Sequence, residues 1–216
     1  MQQADWYFDF ISPYSYLQFA DLPQLRTHFE IRLRPILLAG LLTHWGQLGP
    51  AEIPPKRAFT YRQVRWLARR RGIALNLPQA HPFNPLPLLR LALHLGVSDA
   101  VVGRLFAYVW RDGKVPDDRD AWQALLGELG VVDAERAIGD ETIKRALRAN
   151  TDAAIAAGIF GVPTLAVGQM LFWGNDATQM ARDYATDPTS FAEDEARIRA
   201  LPAAAVRRQA APGGGE

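Results

Sequence analysis

The spacing of apolar positions changes twice along the chain. Asp5–Ile11 is a short aromatic-rich stretch with the length and residue types of a strand. Ile31–Leu38 is a second strand-like run. Between them Tyr14, Leu17, Leu22, Leu25 and Phe29 make the inward face of a helix that opens at Ser12-Pro13. Ser is a good N-cap, and Pro suits the first helical position, where its missing N–H costs nothing. Pro23 cannot bond the carbonyl of Phe19, so a kink is expected there. Strand, helix and strand at this spacing predict a βαβ unit with neighbouring parallel strands.

The middle of the chain switches to a helical period. Leu88, Leu91, Ala92 and Leu95 lie at i, i+3, i+4, i+7, and so do Val102, Leu105, Phe106 and Val109. Trp122, Leu125, Leu126 and Leu129 repeat the pattern. These are three amphipathic helices, with starts at Asn84-Pro85 and Ser98 and stops at Gly96, Gly113 and Gly130. A further helix spans roughly Asp140–Ala157 and stops at Gly158.

Strand periodicity then returns. Leu165-Ala166-Val167, a Gly168-Gln169 turn and Met170–Trp173 predict a β-hairpin. Stretches near 175–185 and 190–200 are helical. The predicted organisation is an α/β domain made of 1–38 and 159–201, split by an all-helical insertion over 39–158. A flexible Ala/Arg/Gly-rich tail is expected over 202–216.

Composition narrows the chemistry. The chain has 216 residues and a net charge of +1, which gives no general reason to expect nucleic acid or membrane as a partner. No run approaches the ~20 apolar residues of a membrane span. The first ten residues have neither the basic segment nor the apolar stretch of a signal peptide, so a cytoplasmic protein is expected. Cys is absent, which excludes disulfides, cysteine nucleophiles and cysteine-bound metal within the chain. Thiol chemistry would have to arrive with a ligand. His28, His44, His81 and His94 show no metal-binding spacing, and no metal is expected. No Gly-x-Ser-x-Gly elbow supports a serine hydrolase. The six Trp are read as packing residues.

Four features carry candidate chemistry, each beside a structural reading. Ser12 is an N-cap, and its hydroxyl at a helix start also suits an anion such as a thiolate. Pro163 is a strand-start proline; a cis bond after Val162 would leave that residue's backbone open to an extended peptide. Asn175-Asp176 is an Asx-type cap, or a site where a carboxylate takes an ammonium. The run from Lys56 through Arg71 carries seven cations and no acid. It is read as a solvated helix face, with Lys56 at the helix start placed to meet a carboxylate.

Three segments together resemble a known family: Tyr7–Leu17, Gly158–Thr164 and Phe172–Asp176. They are similar to the 2-hydroxychromene-2-carboxylate isomerases, which group with kappa-class glutathione transferases among DsbA-like thioredoxin folds. The resemblance covers about residues 5–187. It implies a thioredoxin-like (DsbA-type) domain interrupted by the helical insertion, and a homodimer. Ser12-Pro13-Tyr14-Ser15 stands where oxidoreductase relatives carry Cys-Pro-x-Cys, so redox cycling is excluded here.

The resemblance also implies glutathione as cofactor. Ser12 matches the serine that hydrogen-bonds its sulfur, and Val162, before the cis-proline Pro163, pairs with its cysteinyl unit. Asn175 and Asp176 match the positions that hold the γ-glutamyl end, and Lys56 falls near the ligand. The implied reaction interconverts 2-hydroxychromene-2-carboxylate and trans-o-hydroxybenzylidenepyruvate, a small aromatic keto acid, in bacterial naphthalene breakdown. Reversible thiolate addition would turn a conjugated double bond single and allow rotation. Two alternatives stand beside it: a kappa-like transferase that releases stable conjugates, and a non-enzymatic glutathione- or peptide-binding protein.

Overall fold

The computed structural model describes residues 1–202. Four strands form one sheet in the order β2-β1-β3-β4: β1 (Gln2–Phe8), β2 (Phe29–Pro35), β3 (Thr164–Val167) and β4 (Met170–Trp173). The segments on either side of the helical stretch therefore build the sheet together. β1 and β2 are parallel, from Gln2 opposite Phe29 to Phe8 opposite Pro35. β3 runs antiparallel to β1 and pairs with β4 through a hairpin. Gly168 sits in its turn at φ +59, a conformation that glycine adopts without steric cost.

Both N-terminal strands end about three residues earlier than predicted. Asp9 turns the chain out of β1: its carboxylate accepts from the amides of Ile11 (3.1 Å) and Leu38 (2.8 Å). β2 stops at Pro35, which has no N–H to continue the ladder. The expected kink at Pro23 is instead a break between two helices, α1 (Pro13–Phe19) and α2 (Leu22–Leu25). Without an amide to bond Phe19's carbonyl, α1 ends and Pro23 serves in the first turn of α2.

The segment between β2 and β3 holds α3 (Leu38–Trp45), α4 (Pro54–Arg71), α5 (Leu86–His94), α6 (Asp99–Trp110), α7 (Arg119–Glu128), α8 (Ala134–Gly139) and α9 (Glu141–Ala156). Two of the helix starts read from sequence carry side-chain caps. Ser98 accepts from the Val101 amide, and Asp140 from those of Thr142 and Ile143. After the hairpin come α10 (Thr178–Thr186) and α11 (Pro188–Arg199). The tail expected over 202–216 lies outside the described residues from 203 onward.

Sheet and helices share the main core, and a smaller cluster gathers Tyr7, Ile36, Leu41, Ala154, Ile159 and Val162. Trp6, Phe8, Phe10 and Phe106 are fully buried and stack as a continuous aromatic cluster. Ring centroids are 4.8 Å apart for Trp6–Phe8 and for Phe10–Phe106. Each such side chain is worth about 1.5–3 kcal/mol on burial. Trp110 adds a polar tie: its indole N–H donates to the Phe10 carbonyl at 2.8 Å. Of the six Trp, Trp6, Trp110 and Trp122 are buried, whereas Trp45, Trp66 and Trp173 are exposed, which packing alone does not explain.

The Trp6 indole N–H donates to the Gln18 side-chain carbonyl at 2.7 Å. The Gln18 amide N–H groups then donate to the Gly174 carbonyl (2.9 Å) and the Thr178 hydroxyl (3.1 Å). This buried amide thus fixes β1, α1 and the start of α10 relative to one another. Nearly every hydrogen-bonding capacity of Gln18 is used, which makes the arrangement specific.

Candidate functional site

Ser12 lies between β1 and α1, buried at 5% exposure. Its backbone is extended, and its hydroxyl oxygen accepts from the Ser15 amide at 3.2 Å. The hydroxyl proton goes to the Val162 carbonyl at 3.4 Å. The N-cap reading is therefore realised, and it leaves the hydroxyl facing the β3 approach. Ser15, one turn on, has a fully buried hydroxyl with no partner among the described residues.

Val162-Pro163 is a cis peptide bond. The expectation that both backbone groups of Val162 are open needs correction. The Val162 carbonyl is engaged by Ser12, because the N-cap geometry aims the hydroxyl across at it. The Val162 amide has no partner among the described residues. Pro163 uses its carbonyl to accept from the Gly174 amide at 2.8 Å, which brings the start of the 174–178 segment beside the same strand.

Asn175 and Asp176 form the single turn Asn175–Ala177 ahead of α10. Neither side chain caps a helix, so the Asx-cap reading fails. The reason is Arg71: from the end of α4 its guanidinium donates to Asn175 Oδ1 at 2.9 Å and pairs with Asp21. Asp176 is exposed and makes no hydrogen bond within the described residues. It lies near enough to Tyr14 that, after burial, its charge helps raise the Tyr14 hydroxyl pKa. Gly174 has φ +93, and a Cβ there would come within 2.5 Å of Asp176 Oδ1.

Ser12, Tyr14 and Val162 line a cleft of about 540 Å³. Its walls are mostly apolar, including Ile11, Leu38, Leu42 and Phe83. Lys56 is exposed on α4 and does not line the cleft; its neighbour Arg57 does. Asn175 and Asp176 lie outside the lining as well. The structure thus gathers Ser12 and Val162 at the cleft, and Pro163 beside them in sequence. Asn175 and Asp176 are held nearby through Gln18 and Arg71, and Lys56 stands apart.

The cleft holds residues that the sequence did not single out. Asp9 is fully buried in its wall. Burial pushes its carboxyl up to about 7, against the pull of the Leu38, Ile11 and Phe10 amides. The signal was one acid set between Phe8 and Phe10 at a strand end. Arg57, Tyr61 and His81 also line the cleft. His81 Nε2 meets the Ile11 carbonyl at 2.8 Å, and Nδ1 meets the Tyr61 hydroxyl at 2.8 Å. A carbonyl only accepts, so Nε2 carries the proton and Nδ1 accepts from Tyr61. Burial, with Arg57 nearby, holds the imidazole below its ordinary pKa, consistent with the neutral form. Arg57 and Tyr61 are spaced i, i+4 on α4, a legible hint that they share a face.

Comparison with known proteins places this geometry. The model of the DSBA-like thioredoxin domain matches residues 3–185. A 2-hydroxychromene-2-carboxylate isomerase from Pseudomonas sp. (strain C18) is 33% identical over 182 residues, covering 80% of this chain and 85% of that protein. The chain belongs to the 2-hydroxychromene-2-carboxylate isomerase group of the DsbA-like thioredoxin family. A crystallised isomerase of the same name aligns with a TM-score of 0.76 at 26% identity, over 91% of this chain and 98% of the other. The group's kappa-class kin are also similar: glutathione S-transferase kappa 2 of Caenorhabditis elegans is 27% identical over 209 residues, 85% of this chain and 91% of that protein. The fold expected from sequence, a DsbA-type α/β domain, is thus shown. Among the described residues no helix is long and apolar enough to cross a membrane.

Proposed function

We propose that the protein is a glutathione-dependent isomerase that interconverts 2-hydroxychromene-2-carboxylate and trans-o-hydroxybenzylidenepyruvate, or a closely related unsaturated aromatic keto acid. The observation that carries this reading is the Ser12 hydroxyl, set at the wall of an apolar cleft in a chain without Cys, beside a Val162 amide that has no partner among the described residues. The donor set suits a thiol-bearing tripeptide. Ser12 would hold the sulfur, the Val162 amide would meet its extended backbone, and Asp176 with Asn175 would take the amino-acid end. When bound, glutathione supplies a thiolate that can add to a conjugated enone and leave again.

The chain's own contribution is positional and electrostatic. A free thiol of pKa about 8.5 is mostly protonated at neutral pH, and a hydroxyl donor at the sulfur favours the thiolate. The apolar walls exclude water from the conjugated system. Asp176, which makes no hydrogen bond within the described residues, is placed to meet an ammonium.

A second reading, a kappa-like transferase releasing a stable conjugate, is favoured by the similarity to kappa-class transferases. One experiment separates the two. Trans-o-hydroxybenzylidenepyruvate is incubated with the protein, with and without glutathione, and products are followed by absorbance and mass spectrometry. Glutathione-dependent isomer with glutathione recovered supports the isomerase, whereas accumulating conjugate supports the transferase. No acceleration in either arm would sink both.

A further inference from the structure

Arg57 is the uncompensated cation of the cleft. Its Nε donates to the Tyr61 hydroxyl at 3.1 Å, and one terminal nitrogen donates to the His81 carbonyl at 3.1 Å. The other terminal nitrogen has no partner among the described residues, and Arg57 forms no ion pair there. The acids that share the cleft are turned elsewhere. Glu52 bonds the Gly49 amide, and Asp9 is taken by the amides of Ile11 and Leu38. Arg57, Tyr61 and His81 also border a second depression with Ala51, Pro54 and Ala58, so Arg57 borders both hollows.

The chain of hydrogen bonds runs one way. Arg57 donates to Tyr61, Tyr61 to His81, and His81 to the Ile11 carbonyl one residue before Ser12. That direction is set by the carbonyl at its end, since only a donor can face it. The Tyr61 proton is therefore spent on His81, and donation toward a ligand falls to Arg57. A planar guanidinium with an unused edge, in a cleft that Ile11, Leu42 and Phe83 also line, is matched to a carboxylate joined to a flat hydrocarbon.

We propose that Arg57 is the anion-binding residue of the second-substrate subsite, recognising the carboxylate of an unsaturated aromatic acid, with Tyr61 and His81 as positioning residues that hold its guanidinium. The proposal rests on the reading of this cleft as the reaction site, and its test does not need turnover. Binding of trans-cinnamate and of cinnamamide, which share a skeleton but differ in charge, is measured by calorimetry on the full chain without glutathione.

The expected result is cinnamate affinity about 10–100-fold above that of the amide, the size of one charge-assisted hydrogen-bonded pair. Arg57→Gln abolishes that preference while amide affinity stays, and Arg57→Lys restores part of it. Tyr61→Phe, which keeps the ring but frees Arg57, reduces the acid/amide ratio by a smaller factor. A purely structural Arg57 would lower both affinities together and leave the ratio unchanged. That outcome, no acid preference in the parent protein, or full preference retained in Arg57→Gln, overturns the proposal. Glutathione calorimetry on the parent protein tests the cofactor reading separately: no glutathione binding there, with the acid preference intact, counts against the glutathione site alone.

Discussion

The hydroxyl of Ser12 donates to the carbonyl of Val162 at 3.4 Å, across 150 positions of sequence. The usual O–H···O separation is about 2.7–2.8 Å, so this bond is weak and its proton is redirected at little cost. The acceptor side of the same oxygen is used more firmly, by the Ser15 amide at 3.2 Å. Ser12 thus anchors α1 with its lone pair and keeps its proton in reserve at the cleft.

Removing that oxygen should separate the two roles. Ser12→Ala should lose about 1 kcal/mol of stability, as for other lost N-caps. Glutathione-dependent turnover should fall roughly 10–10³-fold, in the range for a lost anion-stabilising donor. Thermal melts and steady-state kinetics on the pair check both numbers. Unchanged kcat would remove Ser12 from the mechanism.

Ser12 was legible because an N-cap and the proline after it can be read along a few residues, and the absence of any Cys from the composition. The hairpin and the amphipathic helices were legible for the same reason, as short periods. The strand ends were misplaced because the Asp9 carboxylate reaches Leu38, 29 positions away, and closes β1 early. Arg71 was hidden in a cationic run whose other members, such as Arg62 and Arg65, are exposed; only the packed chain shows that it faces Asn175. The Arg57–Tyr61–His81 chain needs α4, the 72–85 connection and the end of β1 brought together, and periodicity holds no record of that.

Asp9 gives a prediction in pH. Its carboxyl is raised from 3.8 to about 7 by burial. The folded state therefore binds its proton more tightly than the unfolded chain. The stability from protonated Asp9 is fully present below about pH 4 and is lost as pH rises through about 7. The slope from this one proton is at most about 1.4 kcal/mol per pH unit. Asp9→Asn keeps the shape but cannot titrate, and it leaves one of the two amides without an acceptor. Urea unfolding between pH 5 and 8 should show a shallower decline for the variant. Parallel curves for the two proteins would mean that Asp9 does not titrate in this window.

The anchor at the start of α10 gives a graded pair. Asp176 is exposed and makes no hydrogen bond within the described residues, so Asp176→Ala should leave the melting temperature nearly unchanged. Its glutathione affinity should fall about 10-fold, the loss of one charge-assisted contact. Arg71→Gln should lower both, because Arg71 positions Asn175 and pairs with Asp21 at once. Calorimetry with glutathione and with cysteinylglycine, which lacks the γ-glutamyl group, checks the assignment. Equal glutathione affinity in parent and Asp176→Ala would place the γ-glutamyl end elsewhere.

Gly174 joins the fold to that anchor. Its carbonyl accepts from buried Gln18, its amide donates to Pro163, and its φ of +93 with ψ of 159 lies where side chains are strongly disfavoured. A Cβ would also press on Asp176 Oδ1 at 2.5 Å. Gly174→Ala therefore carries two penalties: backbone strain of about 1–3 kcal/mol, and displacement of the Asp176 carboxylate. Gly168→Ala is the matched control, since Gly168 also has positive φ but nothing lies within 4 Å of a Cβ there. Both variants should be less stable than the parent in urea unfolding. Only Gly174→Ala should also lose glutathione affinity, by about as much as Asp176→Ala, and the two substitutions combined should cost no more affinity than either alone. Additive losses in the double variant would show that Gly174 acts on the ligand by a route other than Asp176.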